Sequence, residues 1–296
     1  ADERCRILAN GVTCLQLRLL IELLLLLSGL KALGNRLKLE QIIMAALTVT
    51  TKNLVRTVTM DRPESLNSFN ADMMDELCHS FLDAASDDSV RVLVLTGAGR
   101  AFSAGADLKS MGTPPDPLKK DLQALMHSII DFPKPFITAA NGLGVGIGMT
   151  IHGVADLVFM AKSARFRAPF SSLGLTAEAA STYTFSRLLG HQKASWALLS
   201  GEWFTASECL DMGLALEVIP DEKLMQVVSE KAEKLAALPL TSLMQTKKLM
   251  TAPHIEAMKS AIAKEGAGLA RLAGGPANLE AIRAFLDKRD PDFSDL

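Results

Sequence analysis

The sequence contains few cysteines and no surplus of positive charge. Its 296 residues include four cysteines, none paired in a CxxC motif, so we expect neither a structural zinc site nor a disulfide framework. Lys and Arg total 31 against 33 Asp and Glu, which leaves a net charge of −2. No basic run is present to neutralise phosphates, and we therefore expect no nucleic-acid partner. With 49% hydrophobic and 22% charged residues, the composition is that of a globular protein.

The chain also lacks an uncharged apolar run long enough to cross a membrane. Ten of the sixteen residues in Leu15–Leu30 are leucine, but Glu22 interrupts them and only Leu23–Leu30 is free of charge. A membrane-spanning helix needs about 20 apolar residues, so we expect no membrane span. A targeting peptide is the alternative, although acidic residues in the segment argue against it. We interpret residues 1–43 as an upstream or added extension outside the fold, with Met44 as the expected natural start.

Short apolar segments separated by turn residues predict several β-strands. Apolar and polar residues alternate in Leu47–Thr51 and in Leu54–Met60, which predicts a β-hairpin. Continuous apolar runs are typical of strands buried on both faces. Three such runs are Val92–Leu95, Phe136–Ala140 and Leu157–Ala161.

Helix signals lie between and after these strands. Asn70 is placed to cap one helix, and Thr205 and Glu208 have the spacing of a capping box for another. We also expect a helix over Gly144–Gly153. After Pro220 the sequence is almost entirely helix-forming, with breaks at Pro239, at Pro253 and at 274–276. The prediction is an α/β core over residues 44–220, followed by a helical region over residues 221–296.

Two loops rich in small residues follow predicted strands. One spans Gly97–Leu108 and the other spans Gly142–Gly148, with glycine at every second position. Small residues allow a ligand to approach backbone N–H groups closely. Ordinary turn geometry is the alternative for the first loop. The second is not a GxGxxG motif and lacks a well-placed acidic partner for a ribose, so a dinucleotide site is not indicated.

Glu178 is the one charged residue between Arg167 and Arg187. Its neighbours are small or apolar, and such surroundings disfavour a carboxylate and raise its pKa, as a general base working near neutrality requires. The alternative is a carboxylate near a helix N-terminus, stabilised by the helix dipole. No Ser-His-Asp arrangement or metal-ligand cluster emerges from the remaining residues.

Several motifs together resemble the enoyl-CoA hydratase/isomerase, or crotonase, superfamily. They are Asp61-Arg62-Pro63, Ala101-Phe102-Ser103-Ala104-Gly105-Ala106-Asp107-Leu108-Lys109, Pro133-Lys134-Pro135, Ala140-Asn141-Gly142 and Ala284-Phe285-Leu286-Asp287-Lys288-Arg289. The similarity extends from about Thr48 to Phe293. It implies a spiral of ββα repeats with a C-terminal helical region used for trimerisation, so the expected assembly is a homotrimer or a dimer of trimers.

The resemblance also implies an acyl-CoA site. In that family two backbone N–H groups form an oxyanion hole for the thioester carbonyl, and the matching positions are Ala106 and Ile147. The residues matching the family's CoA contacts are Ser65, Leu66, Ala104, Gly105, Ala106, Asp107 and Leu108. A neighbouring subunit is expected to contribute Phe285 and Lys288.

The position of the acid/base residue separates the activities of this superfamily. The two glutamates of the hydratases match Thr150 and Phe170, neither of which can take a proton from water. The segment around Glu178 instead is similar to the peroxisomal-type Δ3,Δ2-enoyl-CoA isomerases, whose single catalytic glutamate matches Glu178. Two departures are Ala177, where proline is usual, and Ala179, where glycine is usual.

The resulting prediction is an enoyl-CoA isomerase that needs no metal or redox cofactor, with the coenzyme A thioester as substrate. Another enolate reaction, such as hydration, and a non-catalytic RNA-binding role are the alternatives. The net charge of −2 disfavours the RNA-binding role. Because the sequence ends without Ser-Lys-Leu, the expected location is the cytoplasm. The mitochondrial or peroxisomal matrix is the alternative.

Overall fold

Eleven strands are found in the part of the chain that the computed structural model describes, which is residues 40–43, 46–107, 116 and 118–296. The Leu-rich segment lies outside these residues. The strands are β1 Glu40–Ile43, β2 Leu47–Lys52, β3 Val55–Met60, β4 Val92–Gly97, β5 Ala101–Ser103, β6 Phe136–Ala140, β7 Leu143–Val145, β8 Leu157–Ala161, β9 Arg165–Arg167, β10 Trp203–Thr205 and β11 Glu217–Ile219.

The strands form two sheets that the chain visits in turn. One sheet has seven strands in the order β1-β2-β3-β4-β6-β8-β11, and the other has four in the order β10-β9-β7-β5. The pairs β4/β5, β6/β7 and β8/β9 each place their first strand in the large sheet and their second in the small one. A helix follows each of these pairs, which is the ββα repeat that the family resemblance implied. The predicted hairpin is also present, as the antiparallel pair β2 and β3. β1 pairs with β2 at the edge of the large sheet, so the expectation that residues 1–43 lie outside the fold is wrong for Glu40–Ile43.

Ten α-helices accompany the sheets within the described residues. They are α1 Ala71–Ser86, α2 Leu122–Ile130, α3 Ile147–Thr150, α4 Ser181–Leu189, α5 His191–Leu199, α6 Ala206–Met212, α7 Leu224–Ala236, α8 Leu240–Thr251, α9 Ile255–Leu272 and α10 Pro276–Asp287. The side chain of Asn70 accepts a hydrogen bond from the Met73 N–H and caps α1. The capping box of Thr205 and Glu208 begins α6. Both predicted caps are confirmed.

The central strands of the large sheet are mostly apolar because they are parallel and covered on both faces. β6 and the first five residues of β4 are buried. Phe81 from α1 packs edge to face on Phe136 of β6, with ring centroids 4.9 Å apart, and this packing fixes α1 against the sheet. The sheet therefore gives rigid support to the loops that leave its strands.

The prediction of one helix over Gly144–Gly153 is wrong. Gly144 lies in β7, Gly146 has a left-handed φ of 56°, and α3 begins only at Ile147. A 3-10 helix then covers Ile151–Val154. The glycines serve close packing, because a Cβ at Gly144 would lie 2.6 Å from both the Gly148 carbonyl oxygen and the Phe166 ring. Glycine at every second position thus fits a strand and a tight turn better than a helix.

The C-terminal third is helical, and its breaks fall where the sequence predicted them. Pro239 precedes α8, and Pro276 is the first residue of α10. No helix among the described residues is both long and apolar enough to span a bilayer.

Candidate active site

Backbone hydrogen bonds join the turn at residues 65–69 to the first small-residue loop. The Ala104 N–H donates to the Leu66 carbonyl oxygen at 2.9 Å, and the Phe69 N–H donates to the Gly105 carbonyl oxygen at 2.8 Å. The Asp107 N–H returns a bond to the Phe69 carbonyl oxygen at 2.9 Å. These bonds bring the predicted CoA-contacting residues of the two segments side by side, 65–66 next to 104–107. The predicted residue Leu108 lies outside the described residues.

Asn67 organises this junction, although no local sequence signal points to it. Its buried side chain accepts a hydrogen bond from the Arg62 N–H at 3.0 Å. Its amide nitrogen donates to the carbonyl oxygens of Ala98 and Ala101, at 2.9 and 2.8 Å. Asn67 also has a left-handed φ of 56°, a conformation that asparagine adopts more readily than most residues. One side chain therefore connects three chain segments around the candidate site.

The Asp107 carboxylate is held by an ion pair. Arg62 Nη2 lies 3.0 Å from Asp107 Oδ2, and Arg62 Nη1 donates to the Ser68 carbonyl oxygen at 2.7 Å. Both ionic side chains are largely shielded from solvent. This pair is a further link between the 62–69 segment and the first small-residue loop.

The two glycine loops touch each other at the predicted oxyanion hole. Gly105 has a φ of 90°, and a Cβ there would lie 2.8 Å from the Val145 carbonyl oxygen. A Cβ on Gly146 would lie 3.9 Å from Gly105 Cα. Ala106 and Ile147 each follow one of these glycines, so the fold places the two predicted positions on adjoining backbone segments.

The N–H groups at these positions are not consumed by the sheets. The residues on either side of Ala106 both form backbone hydrogen bonds with Phe69, through the Gly105 carbonyl and the Asp107 N–H. Among the described residues the Ala106 N–H has no acceptor. Ile147 is the first residue of α3, and the first N–H groups of a helix have no partner within it. The Ile147 N–H instead interacts with the carboxylate of Glu178.

Glu178 lies directly over the second glycine loop. Its Oε1 is 3.8 Å from the point that a Cβ on Gly146 would occupy. The residues that follow it, Ala179 and Ala180, have left-handed φ angles of 62° and 60°, and α4 begins at Ser181. The left-handed turn ends the extended segment and aims the preceding carboxylate at the glycine loops.

The surroundings raise the pKa of the Glu178 carboxyl to about 7, from an ordinary value of 4.5. Burial makes the largest contribution, followed by the negative charge of Glu265, and the Ile147 N–H opposes both. The side chain keeps partial contact with solvent. A carboxyl with such a pKa holds and releases a proton near neutral pH, as a general base and acid requires.

The two positions that the resemblance matches to the hydratase glutamates, Thr150 and Phe170, carry no carboxyl group. Thr150 is fully buried, and its hydroxyl donates to the Gly146 carbonyl oxygen at 3.3 Å. Phe170 is 5% exposed and lies in the hydrophobic core. Neighbouring His152 is buried, and burial lowers its pKa to about 3, so it is neutral. In the described part of the chain no three His, Cys, Asp or Glu side chains are grouped so as to hold a metal ion.

The remaining predicted contacts, Phe285 and Lys288, lie on the last helix and at its C-terminal end. Phe285 is 65% exposed on α10, and Lys288 ends that helix with a φ of 54°. Within the described residues neither forms a hydrogen bond or an ion pair with the loop residues named above. α10 packs instead on the 171–173 turn, where Asn278 Nδ2 donates to the Leu173 carbonyl oxygen at 2.8 Å. A contact of these two residues with a neighbouring subunit stays a prediction.

Comparison with known proteins identifies the superfamily. A family model described as enoyl-CoA hydratase/isomerase matches residues 50–296. The chain is 34% identical to 1,2-epoxyphenylacetyl-CoA isomerase of Escherichia coli (strain K12) over 249 residues, which cover 81% of this chain and 95% of the relative. It is 33% identical to enoyl-CoA delta isomerase 2 of Homo sapiens over 227 residues, which cover 74% of this chain and 57% of the relative.

A solved structure agrees with this assignment. The enoyl-CoA hydratase/isomerase from Pseudoalteromonas atlantica T6c has a TM-score of 0.80 and 31% sequence identity, covering 84% of this chain and 100% of that one. The predicted resemblance and fold are confirmed. The names of the relatives span more than one reaction, so the comparisons establish the family rather than the particular reaction.

Proposed function

Because the chain belongs to the enoyl-CoA hydratase/isomerase family, we propose that it is a Δ3,Δ2-enoyl-CoA isomerase. The substrate is a 3-enoyl-CoA thioester, and the product is the 2-trans isomer, whose double bond is conjugated with the thioester. Unsaturated fatty acyl chains undergoing β-oxidation are the substrate class.

Glu178 carries the proton in the proposed reaction. Its carboxylate removes a proton from C2, and the electrons of the broken C2–H bond move into a dienolate. Negative charge then gathers on the thioester oxygen, where the N–H groups of Ala106 and Ile147 stabilise it. Removing one such donor typically costs about 3–4 kcal/mol of transition-state stabilisation. The Glu178 carboxyl finally returns the proton to C4, and the C2–C3 double bond forms.

One observation supports this reaction above the others of the family. The single carboxyl with a pKa of about 7 lies against the glycine loop that carries Ile147, whereas Thr150 and Phe170 occupy the positions of the hydratase glutamates. Hydration requires water to be positioned and activated, but isomerisation needs only one group that takes and returns a proton on the same face. Because the proton moves within the substrate, the proposed reaction requires no metal and no redox cofactor.

The CoA moiety is proposed to lie along Ser65, Leu66 and Ala104–Asp107, which the fold brings together, and along Leu108. Phe285 and Lys288 would come from the neighbouring subunit of a homotrimer or a dimer of trimers. Support comes from large apolar side chains that the C-terminal helices expose in a single chain. They are Leu249, Met250, Phe285 and Leu286.

The test compares three substrates with one enzyme preparation. A 3-enoyl-CoA deuterated at C2 should be isomerised, with part of the label recovered at C4 because one carboxyl carries it. A 2-trans-enoyl-CoA should be hydrated far more slowly. An epoxide of an arylacetyl-CoA is the third substrate, chosen because of the name of the Escherichia coli relative. Hydration or epoxide opening faster than isomerisation would overturn the proposal.

A further inference from the structure

Glu265 is a buried carboxylate for which the function proposed above has no role. It lies on α9 and is 5% exposed. Its Oε2 accepts a hydrogen bond from the Ala180 N–H at 2.8 Å. Its Oε1 accepts bonds from the Thr182 N–H at 2.9 Å and from the Thr182 hydroxyl at 2.6 Å. Three donors on two carboxylate oxygens indicate that the side chain is ionised.

These hydrogen bonds fix the backbone that immediately follows Glu178. Helix α4 has no cap of its own, because the residue before it is Ala180, which has no side-chain oxygen. The preceding turn is also intrinsically unfavourable, because Ala179 and Ala180 are both left-handed and each carries a Cβ. A carboxylate from a distant helix supplies the acceptor that the local sequence lacks. The turn therefore keeps its shape because Glu265 holds its end.

We propose that Glu265 is a positioning residue for proton transfer, which holds Glu178 over the 146–147 loop and places a fixed negative charge beside it. The inference rests on the isomerase function proposed above. Geometry alone explains the positioning, since Glu178 is two residues from the first anchored N–H. The charge accounts for the second largest contribution to the raised pKa of Glu178, after burial.

Other charged and titratable groups on the surrounding elements are directed elsewhere. The Tyr183 hydroxyl of α4 is hydrogen-bonded to His254 Nδ1 at 2.8 Å. Asp107 of the first loop forms an ion pair with Arg62. Lys264 and Arg187 are exposed. Glu265 is thus the charged side chain, among the described residues, whose effect on Glu178 is resolved.

Three variants separate the effect of the negative charge of Glu265 from the effect of its side-chain length and hydrogen bonds. Glu265→Gln removes the charge. It also replaces one accepting oxygen by an amide NH2 group, which then faces a hydrogen-bond donor of the 180–182 turn. Glu265→Asp keeps the charge but is shorter by one methylene. Thr182→Val removes only the hydroxyl bond and is the milder alternative if Glu265→Gln does not fold. Glu256→Gln is the control, because it removes the same charge from an exposed position on the same helix.

Two measurements report the outcome. One is the pH dependence of kcat/KM for isomerisation, together with kcat and KM. The other is a 13C NMR titration of the Glu178 carboxyl, assigned with Glu178→Gln, which requires no activity. Failure to isomerise any 3-enoyl-CoA would refute the proposed function, whereas the titration would still decide the role of Glu265.

In Glu265→Gln we expect kcat to fall about tenfold to a hundredfold, as a displaced catalytic group causes, with KM changed much less. The Glu178 titration and the acid limb of kcat/KM should both move to lower pH. Glu265→Asp should keep the titration of the wild type while losing kcat, and so should Thr182→Val to a smaller extent. Glu256→Gln should behave as wild type. An unchanged Glu178 titration in Glu265→Gln, with activity lost only in proportion to unfolded protein, would show a purely structural role and overturn the inference.

Discussion

Glutamine at position 178 keeps the size of the side chain but cannot carry a proton between C2 and C4. General acid–base catalysis contributes about 10²–10⁴-fold to rates, and no second carboxylate in the described site can substitute. We therefore expect Glu178→Gln to lose at least this factor in kcat. The affinity for a saturated acyl-CoA should barely change, because the proposed CoA contacts lie at 65–66 and 104–108.

The same substitution should stabilise the fold in a pH-dependent way. The folded-state pKa of Glu178, about 7, is above its ordinary value of 4.5, so ionisation opposes folding. The penalty is absent below about pH 4.5, grows as the pH rises through this window and is complete above pH 7. Its full size is on the order of 3 kcal/mol, reduced somewhat because the side chain keeps contact with solvent. Glutamine removes the penalty.

Urea unfolding at pH 5 and at pH 8 measures this effect. The free energy of unfolding of Glu178→Gln should exceed that of the wild type by about 2–3 kcal/mol at pH 8 and by less than about 1 kcal/mol at pH 5. Glu256→Gln is the control for loss of an exposed carboxylate, and it should change stability by less than about 0.5 kcal/mol at either pH. Equal stabilities of wild type and Glu178→Gln at pH 8 would refute the argument that burial raises the pKa of Glu178.

Four further outcomes follow from the described contacts. Ala179→Gly should stabilise the fold by about 0.5–1 kcal/mol in chemical unfolding, because glycine accepts a left-handed φ; destabilisation would contradict the assigned turn. A Cβ at Gly266 would meet open space, so Gly266→Ala should raise stability by up to about 1 kcal/mol. Gly268→Ala should gain less, because its Cβ would lie 2.9 Å from Thr176 Cγ2. Equal melting temperatures of the two variants would contradict this packing. Asn67→Ala should cost about 3 kcal/mol or more, since it leaves buried partners unpaired, and a loss below about 1 kcal/mol would show that water replaces them. Sedimentation should give a trimer or a hexamer at micromolar concentration, and a monomer would refute the proposed assembly.

Elements whose signals are local were predicted well from the sequence. The strands β6 and β8 begin and end at the predicted residues. A short continuous apolar run bounded by turn residues is typical of a strand buried on both faces of a parallel sheet. The caps of α1 and α6 depend on contacts three residues apart. The error over Gly144–Gly153 arose because the packing partners of those glycines belong to other strands, which the local sequence does not reveal.

The residues of the candidate site also differ in how well the local sequence predicts them. Glu178 could be identified because an isolated charge in an apolar segment is visible without a structure. Asn67 and Glu265 were missed because their partners are 31–34 and 83–85 residues away. One signal for Glu265 was nevertheless present. The buried face of α9 is Met258, Ala261, Ile262, Glu265 and Gly268, and a carboxylate at helical spacing among apolar residues predicts a buried charge with a fixed partner.

The bonds between Glu265 and the turn after Glu178 have a consequence for how this fold could be divided or recombined. α9 belongs to the segment that the sequence marks off as a separate helical region, yet it holds the end of the turn that carries the proposed base. A chimera that joined residues 44–220 of this chain to the C-terminal helices of a relative would preserve every residue of the two glycine loops. It would keep the full rate only if the incoming helix offered a carboxylate at the register of Glu265. Exchange of modules within the family is therefore limited by one side chain that neither module alone would show to be important.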